Sequence, residues 1–337
     1  MGALHQRNIR VILDVVPNHT SDRHPWFVAS RSARTSPKRD WYVWADPAQH
    51  GGPPNNWLSR FGGSAWEWDD TTGQYYYHAF LPQQPDLDWH NREVRQAFAD
   101  ALRFWLRREI DGFRVDASAV LAEDPLLRDD PPNPQYSRER TPPPERLKRV
   151  FTDSRPETMD YIEEMRAVID EFPDRVLLGE VQGGVERIGQ FYGNARPRFH
   201  LPLNFMLLDT QWDVASLAAG IDQYLNSIPD HAWPVWILGS HDKPRIASNI
   251  GLDQARIAAM LLFTLPGTPI FHAGDEIGKP NGEIAPERVR DPFEMLVPGC
   301  LNRDPERTPM CWDAGDHGGF TTGEPWLRRI SIAAVSR

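Results

Sequence analysis

Short apolar, β-branched runs recur along this chain, and several of them end in a charged or polar side chain. They are Asn8 to Val16 (NIRVILDVV), Asp111 to Asp116 (DGFRVD), Val176 to Glu180 (VLLGE), Leu203 to Leu208 (LNFMLL), Val235 to Leu238 (VWIL) and Thr268 to Phe271 (TPIF). Runs with few polar interruptions suit strands covered on both faces, as in a parallel sheet. Between them apolar residues return every three or four positions. Val94, Phe98, Ala101, Leu102, Trp105 and Leu106 do so over 92–109, and Ile162, Met165, Ile169 and Phe172 over 158–172. Val214, Leu217, Ile221, Leu225 and Ile228 do the same, and a further apolar helix fits 255–265. Strand alternating with helix predicts an α/β fold, which these residues leave open as doubly wound or as a closed barrel.

Two stretches break the alternation. From about Thr20 to Gln84 there is no strong helical period but much Trp, Gly and Pro, with an aromatic strand at Gln74 to Phe80 (QYYYHAF). A span of that length is too long for a structureless loop and reads as a small irregular subdomain inserted after the first of these strands. Asp275 to Trp326, rich in Pro, Gly, Arg and Asp, reads as a long ordered loop. The 337 residues fit two domains or one large domain with such an insertion.

Acidic residues outnumber basic ones 47 to 37, which argues against nucleic acid or an anionic membrane as partner. The 13 tryptophans fit sugar stacking and ordinary packing equally well. Cys300 and Cys311 are one possible pair rather than a disulfide framework, and no spacing of Cys and His points to zinc, so both read as free thiols. No apolar run is long enough to span a bilayer, and the first residues lack the apolar core of a signal peptide.

In a parallel α/β protein, reactive groups belong at the C-terminal ends of the strands. Those ends supply Asp14 with Asn18 and His19, then Arg114 and Asp116, then Glu180, then His241 and Asp242. Converging carboxylates without a metal-ligand pattern suit glycoside hydrolysis, which needs a nucleophile, a proton donor and a group that binds the sugar. Singly, each has a plainer reading. Asp14 could cap a loop, Glu180 could pair with an arginine, and His19 and His24 could be loop histidines with satisfied rings. Arg114 and Asp116, two apart on a strand, project from one face, where the cation keeps the carboxylate ionised; a buried ion pair holding the strand is the alternative.

The stretches NIRVILDVVPNHTSDRHPWF, QPDLDW, DGFRVDAS, LLGEV, LGSHDKPR and FHAGDEIG resemble, in order, the signature segments of the α-amylase superfamily of glycoside hydrolases. The α-glucosidase and oligo-1,6-glucosidase branch is the nearest, and RDPFEMLVPGCLNRDPERTPMCWD also resembles it, so the likeness runs to about Trp326. It implies a TIM-type (β/α)₈ barrel and retaining chemistry. Asp116 would be the nucleophile, Glu180 the general acid and then base, and Asp242 the carboxylate that binds sugar hydroxyls and favours the oxocarbenium-like transition state. Arg114 would orient Asp116, while Asp14, His19, His241 and Arg245 would bind substrate. The two reacting carboxyls would then lie about 5–5.5 Å apart. No cofactor and no metal are expected.

The likeness also places the insertion after the family's third strand. The strands here would then be the third to eighth, making the barrel incomplete, with 1–19 and 85–337 as barrel, 20–84 as subdomain B and the C-terminal β-sandwich absent. Substrate class follows from a smaller sign: the residue after the nucleophile is Ala117, where α-1,6-selective members of the branch tend to carry Val. Terminal α-1,4-linked glucose of short oligosaccharides such as maltose is therefore the expected substrate. A transglycosylase or glucosyl isomerase, or a non-catalytic or inactive chain, are the alternatives. No nucleic acid or membrane partner is expected, and the expected location is cytoplasmic. Ser240 and Lys243 stand where the family has Asn and Arg, and Gln182 with Gly183 where it has an aromatic or aliphatic residue.

Overall fold

The computed structural model describes residues 1–139 and 141–327. The chain divides into two compact units, one of residues 1–182 and 189–202, the other of 183–188 and the chain from 203 onward.

In the first unit a short helix α1 (Gly2–His5) precedes strand β1 (Ile12–Val15). The aromatic-rich segment then folds as helix α2 (Pro25–Arg31) and strands β2 (Trp44–Ala45), β3 (Trp66–Asp69) and β4 (Gln74–Tyr77). His24 starts α2: its backbone is extended, its ring nitrogen accepts the Trp26 N–H at 3.2 Å, and Pro25 fits the first helical position. β3 and β4 form an antiparallel hairpin, and β2 pairs with the other edge of β4. The hairpin turn is held by Asp69, which accepts the Thr72 N–H at 3.1 Å and the Thr72 hydroxyl at 2.7 Å; Gly73 at φ 63° closes it. Trp57, Trp66 and Tyr77 pack together beneath this sheet, with Trp57 and Trp66 stacked at 5.7 Å. Trp41, Trp89 and, in the second unit, Trp236 are also buried, so packing accounts for much of the tryptophan content.

The unit continues with α3 (Arg92–Leu106), β5 (Gly112–Val115), α4 (Pro156–Asp170), β6 (Val176–Glu180), α5 (Val185–Tyr192), which crosses the unit boundary, and β7 (Leu201–Leu203), which ends across it. Asn91 caps α3 by accepting the Glu93 N–H at 2.8 Å. The sheet order is β1-β5-β6-β7, with β1, β5 and β6 parallel and Asp14 opposite Arg114, which lies opposite Leu178. Two glycines allow this close assembly. A Cβ on Gly112 would lie 2.1 Å from the Val176 carbonyl, and one on Gly179 would lie 2.1 Å from the Phe199 ring.

The second unit holds α6 (Met206–Asp209), α7 (Val214–Ser227), β8 (Val235–Ile237), α8 (Ile246–Ile250), α9 (Leu252–Thr264), β9 (Thr268–Ile270) and α10 (Pro292–Leu296). β8 and β9 pair in parallel as a separate sheet, and no closed ring of strands is formed among the described residues. Two expectations are corrected here. LNFMLL is not a strand: β7 ends at Leu203, the Asn204 side chain accepts the Met206 N–H at 2.9 Å, and a helical turn follows. The segment from Asp275 is not only loop, since it carries α10, capped by Asp291 through the Phe293 N–H at 3.1 Å. Neither cysteine forms a disulfide. Residues 328–337 of the expected barrel segment lie outside the described residues.

Candidate active site

At the C-terminal edge of the first unit's sheet, one guanidinium gathers three carboxylates. Arg114 Nη1 donates to Asp14 at 2.7 Å and to Asp116 at 2.9 Å, while Nη2 donates to Glu180 at 2.6 Å. The parallel register explains the gathering. Asp14 and Arg114 are partners across β1 and β5, and Glu180 ends β6, one step beyond the Val115–Gly179 pair. The Asp116 N–H closes onto the Val15 carbonyl at 2.9 Å. The chain then turns sharply at Ala117, whose φ of 50° lies in the left-handed region that costs a non-glycine residue about 1 kcal/mol. That turn brings the Ser118 hydroxyl onto the Glu180 carbonyl. Glu180 is 11% exposed, Asp116 30% and Asp14 58%, so the arginine serves one sheltered and two progressively wetter carboxyl groups. Gln182 adds an amide donor 3.3 Å from the other oxygen of Glu180.

His19 stands behind this cluster. Burial lowers its pKa to about 4 against the pull of Asp116, so its ring is neutral at pH 7. The Gln84 amide nitrogen lies 2.8 Å from Nε2 while its oxygen accepts the Leu81 N–H, an arrangement that makes Nε2 the acceptor. Beneath lies Asp86, fully buried, accepting from the Asn18 amide at 2.8 Å and the Ala79 N–H at 2.9 Å. Burial pushes Asp86 up to about 8 despite those bonds and Arg60, and raises buried Glu123 as well, with Asp86 and Asp88 adding to the effect on Glu123.

The sign for stability follows. An unfolded Asp or Glu releases its proton near pH 4, whereas the folded state keeps it, so these groups stabilise the fold fully below about pH 4 and cease to as pH rises toward about 8. Thermal melts between pH 5 and pH 8.5 are expected to show the midpoint falling with pH. Glu123→Gln should flatten that slope, and an unchanged slope would show that the pair does not control it.

In the second unit Asp242 follows β8 and is likewise held by arginines. Its Oδ1 accepts from Arg307 Nη2 at 2.5 Å and from Arg303 Nη1 at 3.3 Å, and its Oδ2 lies 3.4 Å from the His241 ring. Ser240 accepts the Asp242 N–H at 3.2 Å, and Lys243 pairs with Asp209 at 2.7 Å. Arg303 is itself anchored by Asp291 through bonds of 2.6 and 2.9 Å. The structure places Arg245 in the interior, 2% exposed, with its guanidinium on Asp275 and on the carbonyls of Ala273 and Glu306. Arg245 thus takes part in a buried ion pair. Arg303 and Arg307 were not singled out from sequence, although they stand in the NRDPERT stretch quoted above. Among the described residues no group of three or more His, Cys, Asp or Glu is placed to hold a metal ion, and no helix is long and apolar enough to cross a membrane.

Parallel β/α units with charged side chains gathered at their strand ends define the class of protein as a parallel α/β domain whose polar groups cluster where such folds place their reactive residues. The family model for the alpha amylase catalytic domain matches residues 1–331, and the chain belongs to that family, whose domain is a TIM barrel. It is 39% identical to a "Probable alpha-glucosidase" of Rhizobium meliloti (strain 1021) over 96% of this chain and 61% of the relative. An "Oligo-1,6-glucosidase" of Halalkalibacterium halodurans is 34% identical over 97% of this chain and 63% of its own length. Among solved structures, an "alpha-glucosyl transfer enzyme, XgtA" superposes with a TM-score of 0.91 at 36% identity, covering 98% of this chain and 64% of that one. The chain thus spans about three-fifths of the length of these relatives.

Proposed function

We propose that this chain carries the reacting carboxylates of a retaining α-glucosidase that removes terminal α-linked glucose, chiefly α-1,4-linked, from short oligosaccharides such as maltose. The observation that carries this reading is the shared guanidinium: Arg114 donates to both Asp116 and Glu180 at the ends of neighbouring parallel strands. Retention asks for two carboxyls about 5–5.5 Å apart, and two carboxylates on one guanidinium are compatible with such spacing. An Asp116 oxygen would attack the anomeric carbon as Glu180 protonates the departing glycosidic oxygen. Glu180, now a carboxylate, would take a proton from water as that water attacks the same carbon and expels Asp116. Two inversions restore the α configuration. Asp242 and His241 would bind the ring hydroxyls, with Asp14 and His19 lining the glucose site; the interior setting of Arg245 favours a supporting role for it.

In this reading residues 1–19 and 85 onward are barrel, β1 and β5–β9 correspond to the barrel's third to eighth strands, and 20–84 form the inserted subdomain. The three-stranded antiparallel sheet of β2–β4 supports that division. The test is proton NMR of 4-nitrophenyl α-glucoside hydrolysis: α-glucose should appear first and mutarotate later, whereas β-glucose first would exclude the double displacement. A second reading, transfer of glucose to another sugar through the same intermediate, is favoured by the likeness to the α-glucosyl transfer enzyme. Adding an acceptor sugar in the same experiment separates the two by product.

A further inference from the structure

Asp242 is fixed in place by a residue far from it in sequence. Arg307 reaches it with two arms: Nε donates to the His241 carbonyl at 2.9 Å, and Nη2 donates to Asp242 Oδ1 at 2.5 Å. One planar group therefore ties the backbone just before the carboxylate to the carboxylate itself. A lysine, with a single point of charge, cannot hold both in that geometry. Arg303 approaches the same Oδ1, but its two shorter bonds go to Asp291, and its bond to Asp242 is 3.3 Å. The two cations thus divide the work, with Arg303 anchored to the neighbouring buried acid and Arg307 spent on the His241–Asp242 pair. Both guanidinium donors act on Oδ1, while Oδ2 lies 3.4 Å from the His241 ring.

We propose that Arg307 is a positioning residue for Asp242, locking the His241 carbonyl and the Asp242 carboxylate into one unit so that Oδ2 meets the sugar hydroxyls at a fixed angle. This inference rests on the reading of Asp242 as the carboxylate that favours the distorted transition state. Loss of the lock would tilt Asp242 without removing it. Since misplacement by about 1 Å can cost on the order of 10²-fold in rate, the effect should fall on kcat rather than on KM.

The experiment follows hydrolysis of 4-nitrophenyl α-glucoside by the full chain, by Arg307→Gly, by Arg307→Lys and by Asp242→Asn. Each is assayed with and without guanidinium chloride at low millimolar concentration, against sodium chloride of equal ionic strength. Arg307→Gly is expected to lose roughly 10²-fold in kcat with KM within about threefold. Guanidinium, but not sodium, should restore at least about tenfold of that loss, because a free guanidinium can occupy the same fork. Arg307→Lys should fall between wild type and Arg307→Gly, and Asp242→Asn should gain nothing from guanidinium. A kcat for Arg307→Gly within twofold of wild type overturns the proposal, as does a loss that accompanies a collapsed melting transition and is not rescued. If Asp242→Asn retains the wild-type kcat, or the wild type itself turns over no substrate, the functional reading fails and takes this inference with it.

Discussion

Asp116→Asn should lower kcat on 4-nitrophenyl α-glucoside by roughly 10⁴-fold while leaving the melting temperature nearly unchanged. The asparagine keeps the shape and can still accept from Arg114, but an amide oxygen does not form the covalent intermediate with the sugar. The two readouts separate chemistry from folding. Asp116 is 30% exposed and its side chain is placed chiefly by Arg114, so an isosteric neutral group removes one partner of a partly solvated ion pair. Equal rates in variant and wild type would remove Asp116 from the mechanism. A parallel loss of activity and of the melting transition would instead assign the residue to the fold.

Arg114→Ala is expected to damage both rate and stability. Three carboxylates, Asp14, Asp116 and Glu180, would lose their common counter-ion at once. Glu180, sheltered at 11% exposure, would bear the largest penalty, and the fold should lose about 1–3 kcal/mol after allowance for the wetter partners. The expected rate loss is roughly 10²–10³-fold near pH 7. Denaturant melts and steady-state rates measure the two effects, and a variant with wild-type kcat would mean that Arg114 does not hold the reacting carboxyls in place.

How much of this was legible in sequence depended on whether the signal was local. The strands at Ile12–Val15, Gly112–Val115, Val176–Glu180, Val235–Ile237 and Thr268–Ile270 lie within apolar runs that periodicity alone picks out. LNFMLL misled because six apolar-rich residues carry too few turns to tell a strand from a helix; the strand ends at Leu203, the Asn204 side chain accepts the Met206 N–H, and α6 follows. Helix α5 went unread although Val185, Ile188 and Phe191 have helical spacing, since Gly183, Gly184 and Gly189 crowd a stretch of eight helical residues. The link from Arg114 to Asp116 follows from strand alternation. Its links to Asp14 and Glu180 needed the register of three strands. The partners of Asp242 lie more than sixty residues downstream, and nothing in the spacing of Arg303 and Arg307 says where a loop will fold back. Tryptophan content was the least informative count, because packing and sugar stacking draw on the same residue.

The left-handed turn at Ala117 couples two properties that are usually varied separately. The site after Asp116 is where linkage preference was read, and it is also where the backbone stands at φ 50°. A β-branched side chain resists that conformation more than alanine does, so exchanging Ala117 for valine to redirect linkage would draw on the stability margin of β5. Selection for a new bond type at this position is thereby constrained by folding. A glycine there would release the strain, so any change of side chain at this position also changes the cost of the turn that follows β5.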